Sequence, residues 1–385
     1  VERPQDQGAV AILGVFVDTF VVLTLTGLVL ITSGLIPQGM TGTALTQAAF
    51  SQSFGGFGPI FIAVCMFFFA FSTITGWYFF GQSNFKALFG DDVDVFLVPL
   101  GTGANVLGFN RMIRSWHSIL CSDMAHTHTS ESGAVEAVVG CKMTPIPSVH
   151  GKISAGALSA YLTDMGSPHH SQPGLVALTQ STEVATVYTP EEIKAIVDVA
   201  HANGLFVHMD GARIFNAATA LGVDVKEIAA CADSVMFCLS KGLCAPVGSM
   251  LVGSKEYIDR ARRNRKMLGG GMRQCGFLAA AGLVALDVMT KRLGEDHENA
   301  RYMAQRLQKM PGVSLDLDAV EINMVFFKLD APQQVIDTLP QKMYEQGIKI
   351  NGIEDGEFRF VTTNDTSRQD IDHALDVFEQ IITQA

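Results

Sequence analysis

Between Asp18 and Lys86 the chain contains no charged residue. In a protein of 385 residues with 27 Lys and Arg against 38 Asp and Glu, such a gap marks a segment built differently from the rest. Positive charge is also scarce overall: the net charge is -11 and the pI is near 5.3. No cluster of lysines and arginines is interleaved with aromatics, so a nucleic-acid surface is excluded. The seven cysteines, Cys65, Cys121, Cys141, Cys231, Cys238, Cys244 and Cys275, include no C-x-x-C pair. That leaves out the familiar zinc and dithiol motifs, and an odd count without a framework suits a reducing compartment. Internal repeats and low-complexity tracts are lacking too.

What is present divides into two unequal parts. Mean hydropathy of +0.27 is high for a soluble enzyme, and the excess sits at the N-terminal end. Two apolar runs lie there, roughly Val10–Ile31 and Phe57–Phe80, each near the ~20 residues that span a bilayer. Trp77 and Tyr78 close the second run as interfacial aromatics would. The intervening Thr32–Gly56 reads as an uncharged loop rich in Gly, Ser, Thr and Gln. With Arg3 before the pair and Lys86 after it, the expectation is a transmembrane-like hairpin with both ends in the cytoplasm. Asp18 would be costly in lipid and should face another helix or a watery path. The plainer alternative is a buried core hairpin. A signal peptide does not fit, because the start is not basic and the second run would remain after cleavage.

The segments Gly8–Gly34 (GAVAILGVFVDTFVVLTLTGLVLITSG), Leu45–Phe50 (LTQAAF) and Phe69–Gln82 (FAFSTITGWYFFGQ) resemble the C-terminal part of a sodium:alanine symporter. The likeness covers only the last two or three spans of such a transporter, without the helices that would form a substrate and sodium site.

After Gly90 charge returns, and short apolar runs alternate with amphipathic stretches. That is the pattern of a mostly parallel α/β sheet. Strands are expected at Phe96–Leu100, Ser118–Ser122, Lys142–Ile146, Leu175–Thr179, Leu205–Met209, Ser234–Leu239 and Met250–Val252. A helix should run from the Gly101–Asn105 turn to about Trp116. The helix after Thr189 is well specified: Thr189 caps it, Pro190 fits its first turn, Glu192 completes a capping box, and Gly204 stops it. From about Glu295 the order becomes helix, strands Val313–Leu317 and Ile322–Leu329, then helix, strand and helix. The organisation expected is an apolar helical hairpin at 1–87, a large α/β domain at 88–290, and a small α+β domain at 291–385.

Ligands in parallel sheets bind beyond the carboxyl ends of the strands. Gly101, Asp210 and Lys241 all follow strand ends and could meet there. Gly101–Asn105 offers a glycine turn feeding a helix, which suits a phosphate; many such loops bind nothing. Asp210 could keep a pyridine nitrogen protonated, or simply cap the next helix. Lys241, at an apolar strand exit between Ser240 and Gly242, suits a Schiff base rather than a solvated surface. Arg359, inside Phe358–Val361, could grip a carboxylate with its planar fork or face water on an edge strand.

Together these positions resemble the threonine aldolase branch of the beta-eliminating lyases, a fold-type-I pyridoxal-phosphate (PLP) family. The carrying blocks are LGTGANVLG (Leu100–Gly108), HMDGARIFNAA (His208–Ala218), CLSKGLCAPVGSMLVG (Cys238–Gly253) and RKMLGGGMRQCGFLAAAGLVAL (Arg265–Leu286), followed by RFVTTNDTSRQDI (Arg359–Ile371). The likeness runs in order from about Leu88 to Ala385. It implies a PLP fold-type-I large domain with a seven-stranded-type, mostly parallel sheet and a small C-terminal domain. Lys241 is then the cofactor-binding lysine and Asp210 the partner of the ring nitrogen. Gly101, Thr102 and Ser240 hold the phosphate, and Arg213 and Arg359 hold the substrate carboxylate or tune the cofactor ring, Arg213 counting among the cofactor-binding residues. His126, in Ser122–Gly133, is the ring-stacking histidine and candidate base; His128 is a weaker substitute, or else simply faces solvent. Lys266 and Arg273 border the glycine run and are expected to reach a neighbouring subunit's cofactor.

The implied reaction is retro-aldol cleavage of L-threonine or L-allo-threonine to glycine and an aldehyde, in a cytoplasmic homodimer or homotetramer. Residues 10–80 would provide a membrane anchor. Relative to the family, an opening segment near the cofactor is replaced by the symporter-like hairpin. The alternative readings are therefore a fusion with little or no activity and a transport-related protein with a sensory PLP-fold domain. β-Elimination or racemisation on the same scaffold is a further enzymatic alternative.

Overall fold

The structure is a computed structural model that describes residues 13, 16–36, 41–68, 93–110, 112–163, 165–273 and 275–383. Asp18 lies in a helical stretch, but its side chain is outside the described set. Trp77, Tyr78, Lys86 and the expected junction at Leu88–Asp92 lie outside the described residues altogether.

The N-terminal part departs from the expected hairpin. Val17–Val22 is π-wound and continues as the α-helix Leu23–Thr32, which stops before Gly34 at φ +71°. The stretch expected as a loop contains a 13-residue helix, Gly42–Phe54. Ala44, Leu45, Gln47, Ala48 and Ala49 are strong helix formers, and absence of charge is no bar to a helix. Gly55, at φ +56°, ends it, and residues 57–68 are helical again. Among the described residues no helix is long and apolar enough to cross a membrane. Within 10–80 the described helical segments end at residue 68, and the rest of the second apolar run, 69–80, lies outside the described residues.

The α/β expectation holds. Ten strands are described: β1 (Val93–Val98), β2 (His117–Ser122), β3 (Lys142–Ile146), β4 (Gln172–Thr179), β5 (Phe206–Asp210), β6 (Ser234–Cys238), β7 (Ser249–Ser254), β8 (Val313–Ser314), β9 (Met324–Leu329) and β10 (Phe358–Val361). The first seven form one sheet in the order β1-β7-β6-β5-β4-β2-β3. β7 runs antiparallel to both β1 and β6, and the other pairs are parallel. Two reversals restore direction, so β1 points the same way as β6. The carboxyl ends of β1, β2, β4, β5 and β6 therefore lie on one edge.

The strands in the middle of this sheet read as unbroken apolar runs because helices cover both faces. Val176, Leu178, Val207, Met209, Val235 and Phe237 enter one core with Ile193, Ile196 and Ala200 of the helix Pro190–Ala202. That helix has the expected capping box: Thr189 accepts from the Glu192 N–H, and the Glu192 carboxylate accepts from the Thr189 N–H. The helix after β1 is shorter than expected, Gly101–Asn110. β8, β9 and β10 form a separate antiparallel sheet. With the helices Leu293–Leu307, Gln333–Glu345 and Arg368–Thr383 it encloses its own core around Phe327, Phe358 and Phe378.

Candidate active site

The common edge brings together residues from five connections. Gly101 opens the helix after β1, His126 follows β2, Glu183 follows β4, Asp210 ends β5, and Lys241 follows β6. Gly101 lies so close to β6 that a Cβ there would sit 3.3 Å from Cys238 Sγ and from the Met236 methyl. The amides of Gly101, Thr102 and Gly103 precede the first bond of the turn, from the Ala104 N–H to the Leu100 carbonyl. They are the free donors of a helix N-terminus. Ser240 is exposed beside Lys241.

Asp210 is 5% exposed. Its Oδ2 accepts from Asn105 Nδ2 at 2.8 Å, and its Oδ1 accepts from the Ala212 N–H at 3.1 Å. The second bond is the cap-like contact that the plainer reading anticipated. The next helix, however, starts only at Ile214, with Arg213 in the capping position. The carboxylate oxygens keep lone pairs for a further donor.

Asn105 is oriented from behind. Its Oδ1 lies 3.3 Å from His208 Nε2, and His208 Nδ1 lies 2.7 Å from Ser234 Oγ. Full burial pushes the His208 imidazole down to about 4, so it is neutral. A neutral ring donating from Nε2 to Asn105 Oδ1 and accepting at Nδ1 from the Ser234 hydroxyl fits both contacts. The Asn105 amide nitrogen then faces two carboxylates, Asp210 and, at 3.0 Å, Glu131 Oε1.

His126 begins the short helix His126–Thr129. Its Nδ1 meets Glu131 Oε1 at 3.0 Å and its backbone N–H donates to Glu183 Oε1 at 2.8 Å. The Glu131 hydrogen bond raises the imidazole above its ordinary range against the opposing effect of burial. Asp210 raises it further and Lys241 lowers it, which places all three groups in one electrostatic neighbourhood. His128, for which exposure to solvent is the plainer alternative, is half-buried with its Nδ1 enclosed.

Arg213 is lowered first by burial and then by the positive charge of Arg359, so the two guanidiniums of the expected carboxylate grip are brought together. Arg359 comes from β10 of the smaller sheet and is exposed. Lys266, in the last turn of the helix Lys255–Met267, and Arg273 are exposed as well.

The sequence reading passed over Asn105 as a partner, and with it Glu131, Glu183 and His208. Asn105 and His208 stood inside the quoted motifs, and Glu131 within Ser122–Gly133. Only a polar residue in an otherwise apolar strand signalled His208, and nothing local signalled Glu183.

The beta-eliminating lyase family model matches residues 78–330. The sodium:alanine symporter family model matches residues 1–110. The chain is 34% identical to low-specificity L-threonine aldolase 1 of Arabidopsis thaliana over 306 residues, 78% of this chain and 85% of that protein. It is 35% identical to the low specificity L-threonine aldolase of Escherichia coli (strain K12) over 290 residues, 75% of this chain and 84% of that one. In fold it is similar to a solved Leishmania major threonine aldolase, with a TM-score of 0.67, 23% identity, and coverage of 78% of this chain and 87% of that one. The chain belongs to the beta-eliminating lyase family, whose members are PLP-dependent lyases.

Proposed function

We propose that this chain is a PLP-dependent aldehyde-lyase that cleaves L-threonine and L-allo-threonine to glycine and acetaldehyde. The observation that carries the reading is the meeting of Asp210, Lys241 and His126 at one sheet edge, from three different strands. The names of the relatives support the substrate class.

The residues fit PLP. A buried carboxylate with spare lone pairs suits a protonated ring nitrogen, and an amine one connection away suits the aldehyde. The free amides of Gly101, Thr102 and Gly103, with the Ser240 hydroxyl, suit the phosphate. When bound, the cofactor supplies an electron sink for the pair freed at the substrate α-carbon.

This chain's residues then divide the work. Lys241 would hold the cofactor aldehyde through Nζ. Asp210, which accepts from the Asn105 and Ala212 N–H groups, would face the ring nitrogen of the cofactor. Arg213 and Arg359 fix the substrate carboxylate and so orient the bond to be broken. His126, held at Nδ1 by Glu131, presents its other nitrogen and takes the β-hydroxyl proton as the Cα–Cβ bond breaks. A proton returned to the α-carbon completes glycine.

The boundaries 1–87, 88–290 and 291–385 belong to the same proposal, supported by the two family-model matches and the separate core of the last part. So does a homodimer or homotetramer in which Lys266 and Arg273 reach a neighbouring site. A second reading, a symporter fragment fused to an aldolase body of little activity, rests on the model match over residues 1–110. Aldehyde release from L-threonine by the detergent-solubilised full chain with added PLP decides between them, with Lys241→Ala as the blank. Lysine-dependent acetaldehyde supports the lyase. A folded, PLP-loaded protein that releases none supports the inactive fusion.

A further inference from the structure

Glu183 stands just past β4 with its carboxyl enclosed. Its Oε1 accepts the backbone N–H of His126 at 2.8 Å, and its Oε2 is buried without a hydrogen-bond partner among the described residues. The cleavage chemistry above makes no use of it. Charged and titratable groups surround it on every side. Asp210 at the end of β5 opposes a negative charge on Glu183, and His126 favours one. Arg213 feels that charge in turn, as do Cys121 on β2 and Tyr188 in the same connection. Glu131 lies beyond the His126 ring. Burial first, and Asp210 second, push the Glu183 carboxyl up to about 7. Two carboxyls in one enclosed site do not both ionise cheaply. Glu183 accepts a single N–H and its Oε2 meets no donor among the described residues, so its carboxyl holds a proton more readily than an ordinary glutamate.

We propose that Glu183 is a proton-carrying positioning residue for His126, and that its proton leaves when PLP docks against Asp210. The inference rests on the PLP reading of the site. A pyridinium beside Asp210 cancels the charge that Glu183 feels. Ionisation then becomes favourable: the O–H bond breaks, the carboxylate keeps the electron pair, and the proton passes to the buffer. The carboxylate so formed is a stronger acceptor for the His126 N–H than the neutral acid. Cofactor docking thereby tightens the start of the segment that carries the base.

The test is calorimetry of PLP binding to the full chain at pH 7 in two buffers of different protonation enthalpy. The wild-type chain should release about half a proton more per site than Glu183→Gln, because a group with its midpoint near 7 is half protonated there. Equal proton counts in two folded proteins overturn the proposal. A measurement on the unmutated chain guards against a variant that does not fold. With carboxyl-13C glutamate, one resonance should titrate near pH 7 without PLP, and its midpoint should fall by about one unit or more when PLP is added. An unmoved midpoint also overturns the proposal. If PLP gives neither heat nor a Lys241-dependent absorbance change, the PLP reading itself fails and this inference falls with it.

Discussion

Asn105 and Asp210 lie 105 residues apart in sequence, yet the Asn105 amide donates to the Asp210 carboxylate at 2.8 Å inside the protein. The same amide donates to Glu131 at 3.0 Å, so one neutral side chain serves two buried acids. Its orientation depends on His208, which is neutral because it is fully buried. Asn105→Ala removes a donor from the carboxylate assigned to the ring nitrogen. The expected result is a loss of PLP affinity of roughly tenfold, about 1.4 kcal/mol, read by fluorescence titration of the cofactor. Unchanged affinity would show that cofactor binding does not depend on the Asn105 bond to Asp210.

Glu131 controls His126 by the hydrogen bond to Nδ1. Because that bond raises the imidazole above its ordinary 6.5, Glu131→Gln should lower it. A base must be neutral to act, so the acidic limb of the kcat/KM profile for L-threonine should move to lower pH. A limb that stays in place would assign the base to another group.

Gly108 packs against His208 so closely that a Cβ would meet the imidazole Nδ1 at 2.8 Å. The ring has nowhere to go, since it is bonded to Ser234 and Asn105. Gly108→Ala should therefore destabilise the chain by about 1–3 kcal/mol, seen as a lower Tm, despite the better helix propensity of alanine. A variant as stable as the parent would mean that the helix Gly101–Asn110 can shift outward.

In the cofactor-free protein, the Glu183 carboxyl should also tie stability to pH. Its folded value is raised from the ordinary 4.5 to about 7. Below 4.5 both folded and unfolded chains carry the proton. As pH rises from there, the unfolded chain loses it first, the folded state binds more protons, and stability declines until about pH 7. The loss is on the order of 3 kcal/mol. Urea unfolding at pH 5 and pH 8 should show this decline in the parent chain and a smaller one in Glu183→Gln. The same decline in both would place its origin elsewhere.

Much of the fold was legible before any coordinates. β3 lies where its residues indicated, and the helix after Thr189 has the capping box that its sequence spells. Apolar runs bounded by turns and local caps are short-range properties, so a linear reading captures them. The helix after β1 ends at Asn110, short of Trp116, and nothing local in the sequence marks that end. In the N-terminal part the departure lies in the stretch between the apolar runs: absence of charge and richness in Gly, Ser, Thr and Gln read as a loop, yet Gly42–Phe54 is a helix because its alanines, leucine and glutamines favour winding.

By itself the sequence determined the α/β class, the lysine and aspartate at strand ends, and the family to which they point. Each rests on residue type and on neighbours a few positions away. The tertiary structure alone decided that β1 and β6 point the same way across an antiparallel β7, which sets Gly101 on the same edge as Lys241. It alone decided that Asn105, Glu131, His208 and Glu183 support Asp210 and His126. Those roles depend on burial and on charges brought together from distant strands. A carboxylate's neighbours in space, not in sequence, settle which group keeps the proton.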